Sequence, residues 1–152
     1  MTERFSLDTN VLVYAFDASA EDRHRRALTI LDVAARRPCI LTVQALAEFH
    51  SVVTRKGMLA RREAAAQARD WSTEYEVVGA DGDALGKALS AADDERFSVW
   101  DALMLATLEQ AGCTLLLSED VGDGAKFGKL TVVNPFKGAA IPKRAAEALG
   151  LR

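Results

Sequence analysis

What most narrows the fold of this chain is its alternation of short apolar runs with segments of helical period. Phe5-Ser6-Leu7, Cys39-Ile40-Leu41, Tyr75-Glu76-Val77-Val78, Thr114-Leu115-Leu116-Leu117 and Leu130-Thr131-Val132-Val133 read as strands. Between them the spacing predicts helices over about Asn10–Phe16, Asp22–Ala35, Val43–Lys56, Arg61–Thr73, Asp81–Asp94 and Val99–Ala111. Thr42 and Ser98 stand where helix N-caps are needed, and Gly57 and Gly112 where helices must end. Strands alternating with helices favour parallel βαβ units with right-handed crossovers. The class is therefore α/β, with a central, mainly parallel sheet of about five strands.

The 152 residues suffice for one domain, and no repeat, low-complexity tract or linker divides them. After Phe136 comes a tail whose Ala-rich stretch, Lys143–Leu149, reads either as a peripheral helix or as a frayed end. No apolar run approaches the roughly 18 residues of a membrane span. Met1-Thr2-Glu3-Arg4 leads directly into the first strand, so no secretory signal is expected and the cytoplasm is the default location. Cys39 and Cys113 each adjoin an apolar strand and read as small buried hydrophobes, with no disulfide expected. The formal net charge of −3 argues against a protein that binds through an overall basic surface. It leaves nucleic acid open as a substrate, because an acidic centre loaded with divalent cations and rimmed by Lys and Arg can hold phosphates.

Four carboxylates sit beside apolar residues at element boundaries or on an apolar helix. Asp8 ends the first strand, Glu48 lies within the Val43–Lys56 helix, Asp101 opens the Val99–Ala111 helix, and Asp120 follows the Leu-rich strand. Each has an ordinary reading alone. Asp8 fits an N-cap or Asx turn, Glu48 a boundary residue reaching water, Asp101 a capping-box partner of Ser98, and Asp120 an acidic turn. Together they say more. Residues that follow successive parallel strands lie along one sheet edge, and helices starting there add side chains from their first turns. Clustered carboxylates repel unless a cation sits among them, and Mg²⁺ or Mn²⁺ suits all-oxygen ligation. Such an ion lowers the pKa of bound water and neutralises charge on a phosphate.

Other chemistries fare worse. There is no P-loop, and Gly122-Asp123-Gly124 has the wrong spacing and a charge that repels phosphate. His24 and His50 have no Cys/His spacing for zinc and no triad partners, and His24 in the basic run Arg23–Arg26 reads as part of a solvated face. Arg55 and Lys56 follow Glu48 by about two helical turns, which places them to guide a nucleic-acid backbone towards the acidic cluster.

The ordered set Leu7-Asp8-Thr9-Asn10-Val11-Leu12-Val13-Tyr14, Gln44-Ala45-Leu46-Ala47-Glu48-Phe49, Trp100-Asp101-Ala102-Leu103 and Leu117-Ser118-Glu119-Asp120 resembles PIN domains, and more narrowly the VapC-type toxins of toxin–antitoxin pairs. The resemblance spans about residues 4–136 of a single domain, 1–152, and leaves the tail 137–152 outside. It implies a three-layer α/β/α sandwich and a Mg²⁺- or Mn²⁺-dependent endoribonuclease acting as a toxin. By resemblance, Asp8, Glu48, Asp101 and Asp120 bind metal and activate water for phosphodiester hydrolysis. Thr9, Asn10 and Ser118 match supporting positions, and Asp123 is a candidate to supplement or replace Asp120. A homodimer and a cognate antitoxin protein are implied as partners. Two other readings stay open. One is a phosphohydrolase with Asp8 as nucleophile, for which Asn10 stands where a second Asp is wanted. The other is a non-catalytic, receiver-like acidic module.

Overall fold

A parallel sheet covered on both faces needs strands without polar alternation, and the strand Leu115–Leu117 meets this fully, with all three side chains at 0% exposure. The computed structural model describes residues 3–151; Met1 and Thr2, the start of the segment expected to lack a leader, and Arg152 lie outside the described residues. The strands are β1 (Phe5–Leu7), β2 (Cys39–Thr42), β3 (Glu76–Val78), β4 (Leu115–Leu117), β5 (Lys126–Phe127) and β6 (Leu130–Val133). They form one sheet in the order β3-β2-β1-β4-β6-β5, parallel throughout except for β5, which runs antiparallel to β6. The helices are α1 (Thr9–Tyr14), α2 (Asp22–Ala34), α3 (Val43–Arg55), α4 (Arg61–Glu74), α5 (Gly82–Asp93), α6 (Val99–Gln110) and α7 (Lys143–Leu149), with a 3-10 turn at Ala18–Ala20.

Strand alternation divides the core in two. Leu7, Leu41, Leu115, Leu117 and Val133 point to the face covered by α1, α2, α3, α4 and α7. Ile40, Leu116 and Val132 point to the opposite face, under α5 and α6. The result is the expected three-layer α/β/α sandwich. Local signals act as read: Thr42 Oγ1 accepts from Ala45 N at 3.0 Å and Ser98 Oγ from Asp101 N at 3.1 Å. Gly57 and Gly112, at φ +68° and +88°, take the left-handed conformation that a non-glycine residue resists. Phe16, Phe49 and Trp71 meet edge-on with ring centroids 4.7–5.9 Å apart, which pins α3 against α4 and the end of α1. Cys39 and Cys113 are buried free thiols, as expected.

Three features differ from the sequence reading. The sheet has a sixth strand, β5, whose two residues are too few to show any periodicity. The tail is neither frayed nor peripheral: α7 buries Ala145, Ala148 and Leu149 in the main core. The run Arg23–Arg26 is not simply a solvated face, because Arg26 is buried. Its guanidinium donates to the carbonyls of Pro135 (3.2 Å), Gly138 (2.5 Å) and Ala140 (3.3 Å) and pairs with Asp22 at 3.0 Å. A cation loses its hydration on burial, and three carbonyls and a carboxylate replace it. Arg144 pairs with Glu3, tying α7 to the segment before β1. Leu149→Ala is therefore expected to cost about 2–4 kcal/mol of unfolding free energy, measured by denaturant titration. A peripheral helix would lose almost nothing.

Candidate active site

Strand order reverses between β1 and β4: β2 and β3 lie to one side of β1, and β4, β6 and β5 to the other. In open α/β sheets the cleft forms at that switch point, beyond the carboxyl ends of the strands. Asp8 follows β1 directly, and Ser118, Glu119 and Asp120 follow β4 directly. The register Leu7↔Leu117 and the bond from Asp8 N to Leu117 O (2.9 Å) bring the two turns side by side.

Asp8 is buried, at 7% exposure, and both its oxygens are engaged. Thr9 N donates to Oδ1 at 2.7 Å, so the N-cap reading of Asp8 holds too. Ser118 Oγ donates to Oδ2 at 2.7 Å and itself accepts from Asp120 N at 3.2 Å. Asn10 Nδ2 reaches Asp120 Oδ2 at 3.2 Å and Asp8 Oδ2 at 3.4 Å, while Asn10 Oδ1 accepts from Glu119 N at 3.3 Å. Thr9 Oγ1 donates to Glu48 Oε2 at 3.0 Å, linking α1 to α3. Five hydrogen bonds to the carboxylates of Asp8, Glu48 and Asp120 thus come from Thr9, Asn10 and Ser118. Asp123 is occupied elsewhere, accepting from Asn134 N (2.9 Å) and pairing with Lys137 (3.2 Å).

The carboxylates act on one another through space. Burial, reinforced by the charges of Asp120 and Glu48, pushes Asp8 up to about 6 against hydrogen bonds from Ser118 and Thr9. Asp101 at the start of α6 is raised by burial and by the same two neighbours. Among the described residues no three Asp, Glu, His or Cys side chains close into a ready-made metal cage. The chemistry of the cleft nevertheless fits a hard divalent cation: the donors are all oxygens, and their mutual repulsion is relieved by positive charge. Mg²⁺ in particular keeps several waters and needs few protein ligands. Thr9, Asn10, Glu48 and Asp120 share with Tyr14, Arg55 and Lys56 the wall of a cleft of about 300 Å³.

Two further residues of the cleft surroundings, Gln44 and Glu119, have contacts that the sequence alone does not signal. Gln44 Nε2 donates to Glu48 Oε1 (3.2 Å) and to the Trp100 carbonyl (3.4 Å), joining α3 to the start of α6. Glu119 accepts from Tyr14 OH at 2.6 Å and pairs with Arg23 at 2.6 Å, so the Tyr14 phenol is pushed up to about 12 by burial and by that carboxylate.

Asp8 sets a pH signature for the metal-free protein. Between pH about 4 and 6 native Asp8 keeps a proton that the unfolded chain has released, so the native state binds more protons and stability falls as pH rises. The loss is up to about 3 kcal/mol, from a shift of about two units at 1.36 kcal/mol each. In denaturant titrations across this range Asp8→Asn is expected to reduce the decline, leaving the part owed to Asp101, and to be the more stable protein at pH 7.

The model of the PIN domain matches residues 6–122. Among curated proteins none matches the chain. Among solved structures, VapC20 of Mycobacterium tuberculosis, described as a sarcin-ricin loop cleaving toxin, is similar with a TM-score of 0.63 and 24% identity, over 84% of this chain and 98% of that one. A toxin–antitoxin complex from Klebsiella pneumoniae aligns with a TM-score of 0.61 and 18% identity, over 86% and 96% of the two chains. VapBC2 of Rickettsia felis, bound to a DNA fragment from its promoter, aligns with a TM-score of 0.59 and 12% identity, over 84% and 96%. These likenesses establish the shared fold, and because the family model matches well over half its length, the chain belongs to the PIN domain family.

Proposed function

We propose that this protein is a divalent-metal-dependent endoribonuclease that acts as the toxin of a toxin–antitoxin pair. The observation that carries the reading is the pair Glu48 and Asp120 on the wall of one cleft with Arg55 and Lys56, and Asp8 and Asp101 both close enough to feel the charge of that pair. Asp8, Glu48, Asp101 and Asp120 would hold Mg²⁺ or Mn²⁺. When bound, the ion supplies charge neutralisation at the phosphate and a lowered pKa for water.

The chain's own residues orient the reaction. Thr9 N and Ser118 Oγ fix the Asp8 carboxylate in one direction, and the Thr9 hydroxyl with the Gln44 amide fixes Glu48. Asn10 holds Asp120 against Asp8. Groups held in place before substrate arrives lose little freedom when the reaction begins. Arg55 and Lys56 draw the RNA backbone across the cleft mouth. The structural similarity to an RNA-cleaving toxin and to toxin–antitoxin complexes supports RNA as substrate and a small antitoxin protein as partner. A homodimer working in the cytoplasm completes the reading.

The purified protein is expected to cleave RNA with Mg²⁺ or Mn²⁺ and to stop in EDTA. Asp8→Asn and Asp101→Asn are each expected to lower the rate on the order of 100-fold or more while the circular-dichroism spectrum stays native. Undiminished cleavage in EDTA would overturn the assignment. Expression of the wild type is expected to arrest growth and that of Asp8→Asn to permit it. Millimolar Mg²⁺ or Mn²⁺ is expected to raise the melting temperature of the wild type and to leave that of Asp8→Asn unchanged.

A further inference from the structure

Some surface cations of this acidic chain are paired: Arg4 with Glu76, Arg23 with Glu119, Arg25 with Asp22, Arg36 with Asp32 and Lys137 with Asp123. Arg55, Lys56, Arg61 and Arg62 are among the cations with no ion-pair partner among the described residues, and the first two line the carboxylate cleft. All four are exposed, at the end of α3 and the start of α4. Four like charges close in sequence give this end of the two helices a positive potential that attracts anions.

The space around them has shape as well as charge. A second cavity of about 560 Å³ is lined by Ser51, Thr54, Arg55, Leu59, Ala60 and Arg61. Arg55 lines this cavity and the carboxylate cleft alike, so the two adjoin. The Thr54 hydroxyl is already spent on the carbonyls of His50 and Ser51, which leaves the two guanidiniums and the exposed Ser51 as polar groups free to act. Leu59 and Ala60 supply an apolar wall. Glu63 turns its carboxylate to the N–H of Ala60 at 3.0 Å, where it serves the helix start. Ala60 has no side-chain acceptor for the first-turn N–H groups of α4, and their positive end adds to the same field.

We propose that this cavity is a phosphate subsite for an unpaired segment of the RNA substrate, holding a backbone phosphate next to the scissile one. The inference rests on the ribonuclease reading and adds the direction in which the strand leaves the cleft: along the end of α3 and over the start of α4. Guanidinium forks suit phosphate oxygens, and adjoining pockets suit a strand free to bend into each.

The test measures binding of a fluorescein-labelled single-stranded RNA to the Asp8→Asn protein over a range of salt concentrations, with Arg61→Gln, Arg61→Lys and Arg36→Gln compared on that background. Arg61→Gln is expected to weaken binding at low salt regardless of RNA sequence and to reduce the slope of log K against log salt by about 0.7, the value of one lost phosphate contact on a single strand. Arg61→Lys is expected to keep the slope, and Arg36→Gln, in the turn that follows α2 and on neither cavity wall, to change nothing. An unchanged affinity and slope in Arg61→Gln, or an equal loss in Arg36→Gln, would overturn the subsite. Arg61 is exposed, so unchanged melting temperatures exclude misfolding as the cause. The ribonuclease reading is tested apart, by cleavage with the wild type: if that protein cuts RNA while Arg61→Gln binds normally, only the subsite fails.

Discussion

The hydrogen bond from Ser118 Oγ to the Asp8 carboxylate joins the ends of two neighbouring parallel strands, and the rest of the cleft is built outward from it. Asp8 is buried, so its charge loses water, and the neighbouring Asp120 and Glu48 oppose it further. Two hydrogen bonds offset part of that penalty. They do not cancel it, which is why burial prevails and the carboxyl holds its proton well above the normal range. On the metal-dependent reading proposed for the cleft, a bound cation would relieve the same unfavourable charge, so stability without metal and function with metal would pull in opposite directions at one side chain.

Rigid surroundings keep this centre in place. Helix α3 carries the division of labour within a few residues: Phe49 points inward to Phe16 and Trp71, while Glu48 points out to Thr9 and Gln44. Glu48 has little packing of its own and takes its position from the aromatic contact beside it. Seven residues on, Arg55 lies about 10 Å further along the same axis, at 1.5 Å per residue, so anionic and cationic groups share one ruler.

Much of this was legible in the residues because it depends on local chemistry. Asp8 after an apolar run, the Thr42 and Ser98 caps, and the glycines at 57 and 112 each have a cause within a few positions of sequence. The convergence of Asp8 with Asp120 followed from parallel topology alone. What escaped depends on contacts distant in sequence. Strand β5 exists because β6 offers it an edge and not because two residues specify a strand. Arg26 looks like its neighbours until the carbonyls of 135–140 arrive from more than a hundred residues away. Glu119 sits between two residues with evident roles, and only the fold brings Tyr14 and Arg23 to it. The separation of Asp123 from the cluster was equally out of reach, since Asn134 and Lys137 claim it through tertiary contact.

The pairing of Glu3 with Arg144 closes a loop around nearly the entire chain. During synthesis β1 emerges well before α7, which completes the core. Until residues 135–140 emerge Arg26 has only Asp22 beside it, and until α7 follows them the apolar surface under Leu149 is bare. Docking of α7 thus completes this core, and a nascent chain stalled before residue 143 would expose a hydrophobic strip to proteases and chaperones.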